Sequence, residues 1–231
     1  MEVAMLDALS EWLKLGGPTL LILLLLSLAA VTITVIKLWE FQELRLGRRD
    51  FVNKVVEAWQ AGHADLAAAA TGGSPSPLAD VMRHAIKLLA DPNLREAHAR
   101  ELIERHAADW LESLRRLLRP LEVISQLAPL LGLLGTVLGM IEAFRQLQAA
   151  GDRVSPSLLS GGLWEALLTT AAGLAVAIVA LAAFHYLERQ VERLQHDMES
   201  ALTRLLTRPL IPAPATPSRS HYGNALVVEL P

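Results

Sequence analysis

Apolar positions along this chain fall into two regimes, continuous runs and helical periodicity, and the alternation between them predicts its elements. Three runs are long enough to cross about 30 Å of hydrocarbon as helices. The first, 18–36, is leucine-rich, with Thr19, Ser27, Thr32 and Thr34 as its only polar interruptions. The second covers 120–144 and the third 163–186. Before the first run, Leu6, Leu9 and Leu13 recur at helical spacing, so 1–17 reads as a short helix lying in the outer interface. The first run is too long, and too poor in preceding positive charge, for a cleaved signal peptide.

Between the first two runs, 37–119 turns charged and its apolar residues become periodic, which predicts a water-exposed helical domain. TGGSPSP at 71–77 breaks it with a turn. Asp91-Pro92 reads as an N-cap followed by proline at N1, opening a helix that runs on to Arg119. A loop is predicted over 145–162, a polar helix over 187–208, and a proline-rich tail without regular structure over 209–231. No strand alternation occurs. The fold expected is therefore all-α: three membrane helices with helical extensions, spans two and three lining a pore and span one outermost.

Charge gives the orientation. Glu2, Asp7 and Glu11 stand before the first span against a single Lys14, while Lys37, Arg45, Arg48, Arg49 and Lys54 follow it. The positive-inside rule then places the N-terminus outside and 37–119 in the cytoplasm. Trp12 and Trp39 suit the two interfacial belts. Arg115, Arg116 and Arg119 precede the second span as anchors facing anionic lipid. The formal net charge is −3, which points to no nucleic-acid partner. Cysteine is absent, removing disulfides, thiolate metal sites and thiol catalysis together. No P-loop, GxSxG or dinucleotide fingerprint occurs, so neither ATP-driven work nor acyl chemistry is indicated, and no cofactor, metal or enzymatic activity is expected.

The informative residues are those that hydrocarbon excludes. Glu165 in GGLWEALLTTAAG (161–173) stands about one turn inside the third span, with Thr169 and Thr170 a turn deeper. A lipid-facing carboxylate costs about 2.5–3.5 kcal/mol on insertion scales. Glu165 either snorkels to the interface at the helix N-terminus or faces protein and relays protons. In the second span, Gly132, Gly135, Thr136 and Gly139 collect on one helix face, a surface for close helix–helix approach. Ala166, Thr170, Gly173, Ala177 and Ala180 form a matching stripe in the third. Thr169 shares the face of Glu165, whereas Thr170 lies about 140° round. Spacing leaves open whether either threonine lines a pathway or only satisfies its own helix. The histidines 84, 98 and 106 lack zinc-site spacing and read as solvated helix residues. His185, beside Glu188 at the inner end of span three, is a possible proton exit.

APLLGLLGTVLGM followed by GGLWEALLTTAAGLAVAI resembles the paired signature of the MotA/TolQ/ExbB proton-channel family, and the order of spans agrees. The detailed motif covers 128–180. The resemblance implies a homopentameric ring in the bacterial inner membrane, N-terminus periplasmic and C-terminus cytoplasmic. The ring would surround an ExbD- or TolR-like single-span subunit that carries the titrating aspartate. TonB- or TolA-like proteins would be the further partners. Glu165 matches the family's membrane glutamate, Thr136 its second-span threonine and Thr170 its third-span threonine, so the resemblance selects Thr170 over Thr169. Two positions depart: Val179 stands where proline is frequent, and His185 where an asparagine is usual. The four-span branch fits less well, for want of a fourth apolar run. Energising nutrient uptake, as an ExbB-like subunit does, is the function implied. A TolQ-like role in envelope constriction, or a passive scaffold that uses the small stripes only to oligomerise, are the alternatives.

Overall fold

A computed structural model describes residues 2–150 and 156–207, with side chains over 17–149 and 160–207. All its regular structure is helical: α1 (Glu2–Glu43), α2 (Asp50–Gln60), α3 (Ala64–Ala70), α4 (Pro77–Leu89), α5 (Glu96–Arg115), α6 (Leu118–Ala150) and α7 (Pro156–Leu206). Three of the described helices, α1, α6 and α7, contain stretches long and apolar enough to cross a membrane. The tail 209–231 and the apolar face of 1–17, with Trp12, lie outside what is described.

α6 and α7 pair antiparallel along the membrane half, and α1 packs on both. Leu23 of α1 is buried against Ala128 and Ala177, while Leu25, Leu28, Val35 and Trp39 on its other side are exposed. That is the pattern expected of a helix with lipid on one side, because no apolar surface need be hidden from acyl chains. Gly17 has φ +61, a left-handed conformation that glycine tolerates, inside α1 and immediately before Pro18. α1 runs through the boundary read between 17 and 18 as one helix.

The water-side half is built differently. Leu187, Val191, Leu194, Met198 and Leu205 of α7 are buried, and α2 to α5 fold onto that stripe with Val55, Val56, Met82, Ile86 and Ile103. Trp59 Nε1 donates to the carbonyl of Leu205 at 3.0 Å, tying α2 to the end of α7.

Three expectations about helix limits need correction. α5 does not open at Asp91-Pro92. Asp91 Oδ1 accepts from the amide of Asn93 at 2.9 Å, a local turn that competes with helix, and the helix starts only after Arg95, which has extended φ −65, ψ 135. Nor does it run unbroken to Arg119, because α5 ends at Arg115 and α6 begins at Leu118. The loop drawn over 145–162 is largely helical. α6 continues to Ala150 and α7 begins at Pro156, where proline at N1 costs nothing. Gly162 permits this extension: a Cβ there would stand 2.6 Å from that of Ala143, so only a glycine lets the helices stay paired so far out.

Candidate functional site

Membrane helices associate through close packing rather than through exclusion of water, so the seam between α6 and α7 depends on side chains being absent. A Cβ on Gly132 would lie 3.1 Å from the Thr169 carbonyl oxygen and 3.1 Å from Cα of Thr170. One on Gly173 would lie 2.6 Å from the carbonyl oxygen of Ala128. Gly139 faces Ala166, which is buried along with Ala177 and Ala180. The two stripes read from the sequence thus meet each other.

The threonines differ in what they do. Thr169 is 2% exposed and fills the notch opposite Gly135, whose Cβ would come within 2.5 Å of its Oγ1. Its hydroxyl donates within its own helix, to the Ala166 carbonyl at 2.7 Å. Thr170 instead crosses the seam, donating to the Gly132 carbonyl at 3.1 Å. Thr136 is half-buried and bonds its own helix at Leu133, 2.6 Å away.

Glu165 is half-buried, on the side of α7 that α1 covers. Its Oε1 lies 3.7 Å from the place a Cβ on Gly17 would occupy. The carboxylate therefore sits beside the left-handed Gly17 of α1, while the hydroxyls of Thr136 and Thr170 bond the carbonyls of Leu133 and Gly132 instead. Gly17 is a site residue that pattern reading passed over. Its signal was Gly16-Gly17-Pro18, an unusual tripeptide at the mouth of a leucine run.

At the opposite end of α1, Lys37 proves to be more than a flanking charge. It is 1% exposed, bonded to Glu40 Oε2 at 2.8 Å, with its ammonium 5.7 Å from the centre of the Phe41 ring. Burial of a cation on a membrane helix requires such compensation. His185 lies 3.9 Å from Glu188 on a largely exposed edge, and Arg115 donates to Gln195 at 2.8 Å.

The model of the MotA/TolQ/ExbB proton channel family matches residues 74–200, more than half of the chain. The chain belongs to this family. Among its relatives, the putative biopolymer transport protein ExbB-like 1 of Synechocystis is 38% identical over 187 residues, covering 78% of this chain and 70% of that protein. Biopolymer transport protein exbB1 of Vibrio cholerae is 40% identical over 107 residues, 45% of this chain and 47% of its own length. The Tol-Pal system protein TolQ of Haemophilus influenzae is 32% identical over 97 residues, 42% of each chain. The chain thus spans about half the length of the Vibrio relative and more of the Synechocystis one. The stretch matched by the family model, 74–200, contains α4, α5, α6 and most of α7, and the relatives carry the names of both the ExbB and the TolQ systems.

Proposed function

We propose that this chain is the ring-forming channel subunit of an inner-membrane complex that converts proton-motive force into motion, with Glu165 as its proton-relaying carboxylate. One observation carries the reading: an ionisable group on an apolar helix, half-buried beside the glycine-lined seam between α6 and α7, in a member of a proton channel family. An ionisable residue at that depth has no packing value that would repay its insertion cost, and so marks a pathway.

Within the proposed ring, the N-terminus is periplasmic and α2 to α5 are cytoplasmic. α6 and α7 line the pore, and an ExbD- or TolR-like single-span subunit occupies it. Thr170 and Thr136 flank the route from Glu165 towards that subunit's acidic group. Each proton crossing 100 mV releases about 2.3 kcal/mol, available to rotate or rock the inner helices against the ring. The greater number of ExbB-named relatives favours an ExbB-like role in energising outer-membrane transport through a TonB-like protein. The TolQ relative supports the second reading, a Tol-Pal subunit acting through a TolA-like one.

The test is Glu165→Ala and Glu165→Gln in complexes purified with the single-span partner. Both variants should assemble normally and lose proton-driven activity by at least about a hundredfold, the lower end for a positioned proton-transferring group. Full activity in either would remove Glu165 from the pathway.

A further inference from the structure

Outside the membrane half, one polar cluster joins three helices. Asp80, in the first turn of α4, accepts two hydrogen bonds on Oδ2 from residues one turn apart on α5: Trp110 Nε1 at 3.0 Å and His106 Nε2 at 2.9 Å. Arg83 reaches its Oδ1 at 3.3 Å. Arg83 also donates to the hydroxyl and the carbonyl of Thr71, at 3.2 and 3.4 Å, where α3 ends. Above this network the ring of His84, from α4, stacks on that of His106, from α5, with centroids 4.4 Å apart and planes inclined by 31°. His84 and His106 are therefore not the solvated residues their spacing suggested. Both are half-buried, and only His98 remains on an open face, 3.8 Å from Glu101.

Of the two stacked imidazoles only His106 has a carboxylate partner: its Nε2, facing the Asp80 carboxylate at 2.9 Å, turns its hydrogen towards Oδ2. His84 has no such partner. A proton on it is opposed by burial and by repulsion from His106 across the stack and from Lys87 on the same helix.

We propose that the His84–His106 stack is a proton sensor for the water-side domain: with His84 neutral α4 stays closed on α5, and uptake of a proton on His84 drives the two helices apart. α4 and α5 both rest on α7, so their separation removes support from the helix that carries Glu165. That the sensed compartment is the cytoplasm rests on the channel reading above. The titration and its effect on packing do not.

The charges facing the pair support this assignment to His84. From α4 come Asp80, Arg83 and Lys87, and from α5 only His106 itself enters the balance. The end of α3 offers uncharged Thr71, and α7 presents the apolar stripe of Val191, Leu194 and Met198. Burial raises the Asp80 carboxyl, but the hydrogen bonds from His106 and Trp110 and the charges of His106 and Arg83 outweigh it and hold the group below its ordinary 3.8. Burial first, then the His106 charge, hold His84 below the ordinary 6.5, against the pull of Asp80. With the closed-state value depressed, the open state binds the proton first. Closed packing is thus fully stable above about pH 6.5 and weakens as pH falls from there towards the closed-state value.

Amide hydrogen exchange of the full-length protein in detergent, corrected for intrinsic rates, tests this. Between pH 7.5 and 5.5, protection over 77–89 and 96–115 should fall severalfold, about three- to tenfold. Protection of 163–186 should not change. His84→Phe keeps an aromatic ring in the stack without a titrating group and should abolish the pH dependence. Equal pH sensitivity in His84→Phe, or none in the wild type, overturns the proposal. Should His84→Phe not fold, the imidazole Cε1–H shifts of the wild-type protein decide the matter. A histidine titrating below the ordinary range and lost in His84→Gln supports the sensor, and its absence refutes it. None of these readouts depends on proton-driven activity, so failure here is distinct from failure of the channel assignment.

Discussion

Between Ala166 and Ala180, α7 turns alanine, threonine and glycine towards its neighbours, whereas between Leu187 and Leu205 the same helix turns leucine, valine and methionine towards α2 to α5. The helix is continuous through both stretches, so the contrast lies in the surroundings. Where water surrounds the bundle, burying large apolar side chains is itself the driving force. Where lipid surrounds it, leucine gains nothing by facing inward, and only atoms brought close together bind the helices. Hence the exposed residues of α6 and α7 in the membrane half are the large ones, Leu130, Leu133, Val137, Leu174 and Ile178 among them.

Substitutions chosen by this contrast have opposite signs of volume in the two halves. The largest effect is expected for Gly173→Val. Its new atoms would meet the Ala128 backbone, which cannot rotate aside, so the loss should exceed the about 1–3 kcal/mol usual for overpacking. Unfolding in mixed micelles, with separation of the α6–α7 pair as readout, would measure it. A variant as stable as the wild type would mean that the seam is looser than described. Next comes the reverse change in the other half: Leu194→Ala, at a 1% exposed position, should cost about 3 kcal/mol through the cavity left behind. That loss should appear in thermal unfolding of α2 to α5 while the membrane seam stays intact. The smallest is Thr170→Val, which removes the hydrogen bond to Gly132 and should cost about 0.6 kcal/mol, the typical worth of an interhelical hydrogen bond in a membrane. A loss several times larger would mean that Thr170 holds the seam and is not merely accommodated by it.

The membrane half was the more legible in sequence because its rules act locally. Continuous apolar runs gave the three helices, and glycine spacing gave both faces of the seam. What escaped was decided by contacts distant in the chain. The 187–208 helix read as polar because its charged residues are conspicuous, although Leu187, Val191, Leu194 and Met198 already carry a four-three repeat. The limits of α5 and α6 depended on a side-chain turn at Asp91 and on Gly162 fitting against Ala143. Isolated histidines gave no sign of stacking, since His84 and His106 are brought together only when α4 meets α5. The nearness of Glu165 to Gly17 is likewise a contact between α7 and α1 that the run of leucines does not encode.

Helix α7 has 51 residues and no proline beyond its first position, so it measures about 77 Å end to end, well over twice the hydrocarbon thickness. An unhinged rod of that length acts as a lever. A 5° tilt about its midpoint displaces each tip by about 3 Å in opposite directions. A proline-kinked helix would dissipate such a tilt at its joint, whereas this one delivers any rearrangement around the membrane carboxylate to the far end of the bundle undiminished.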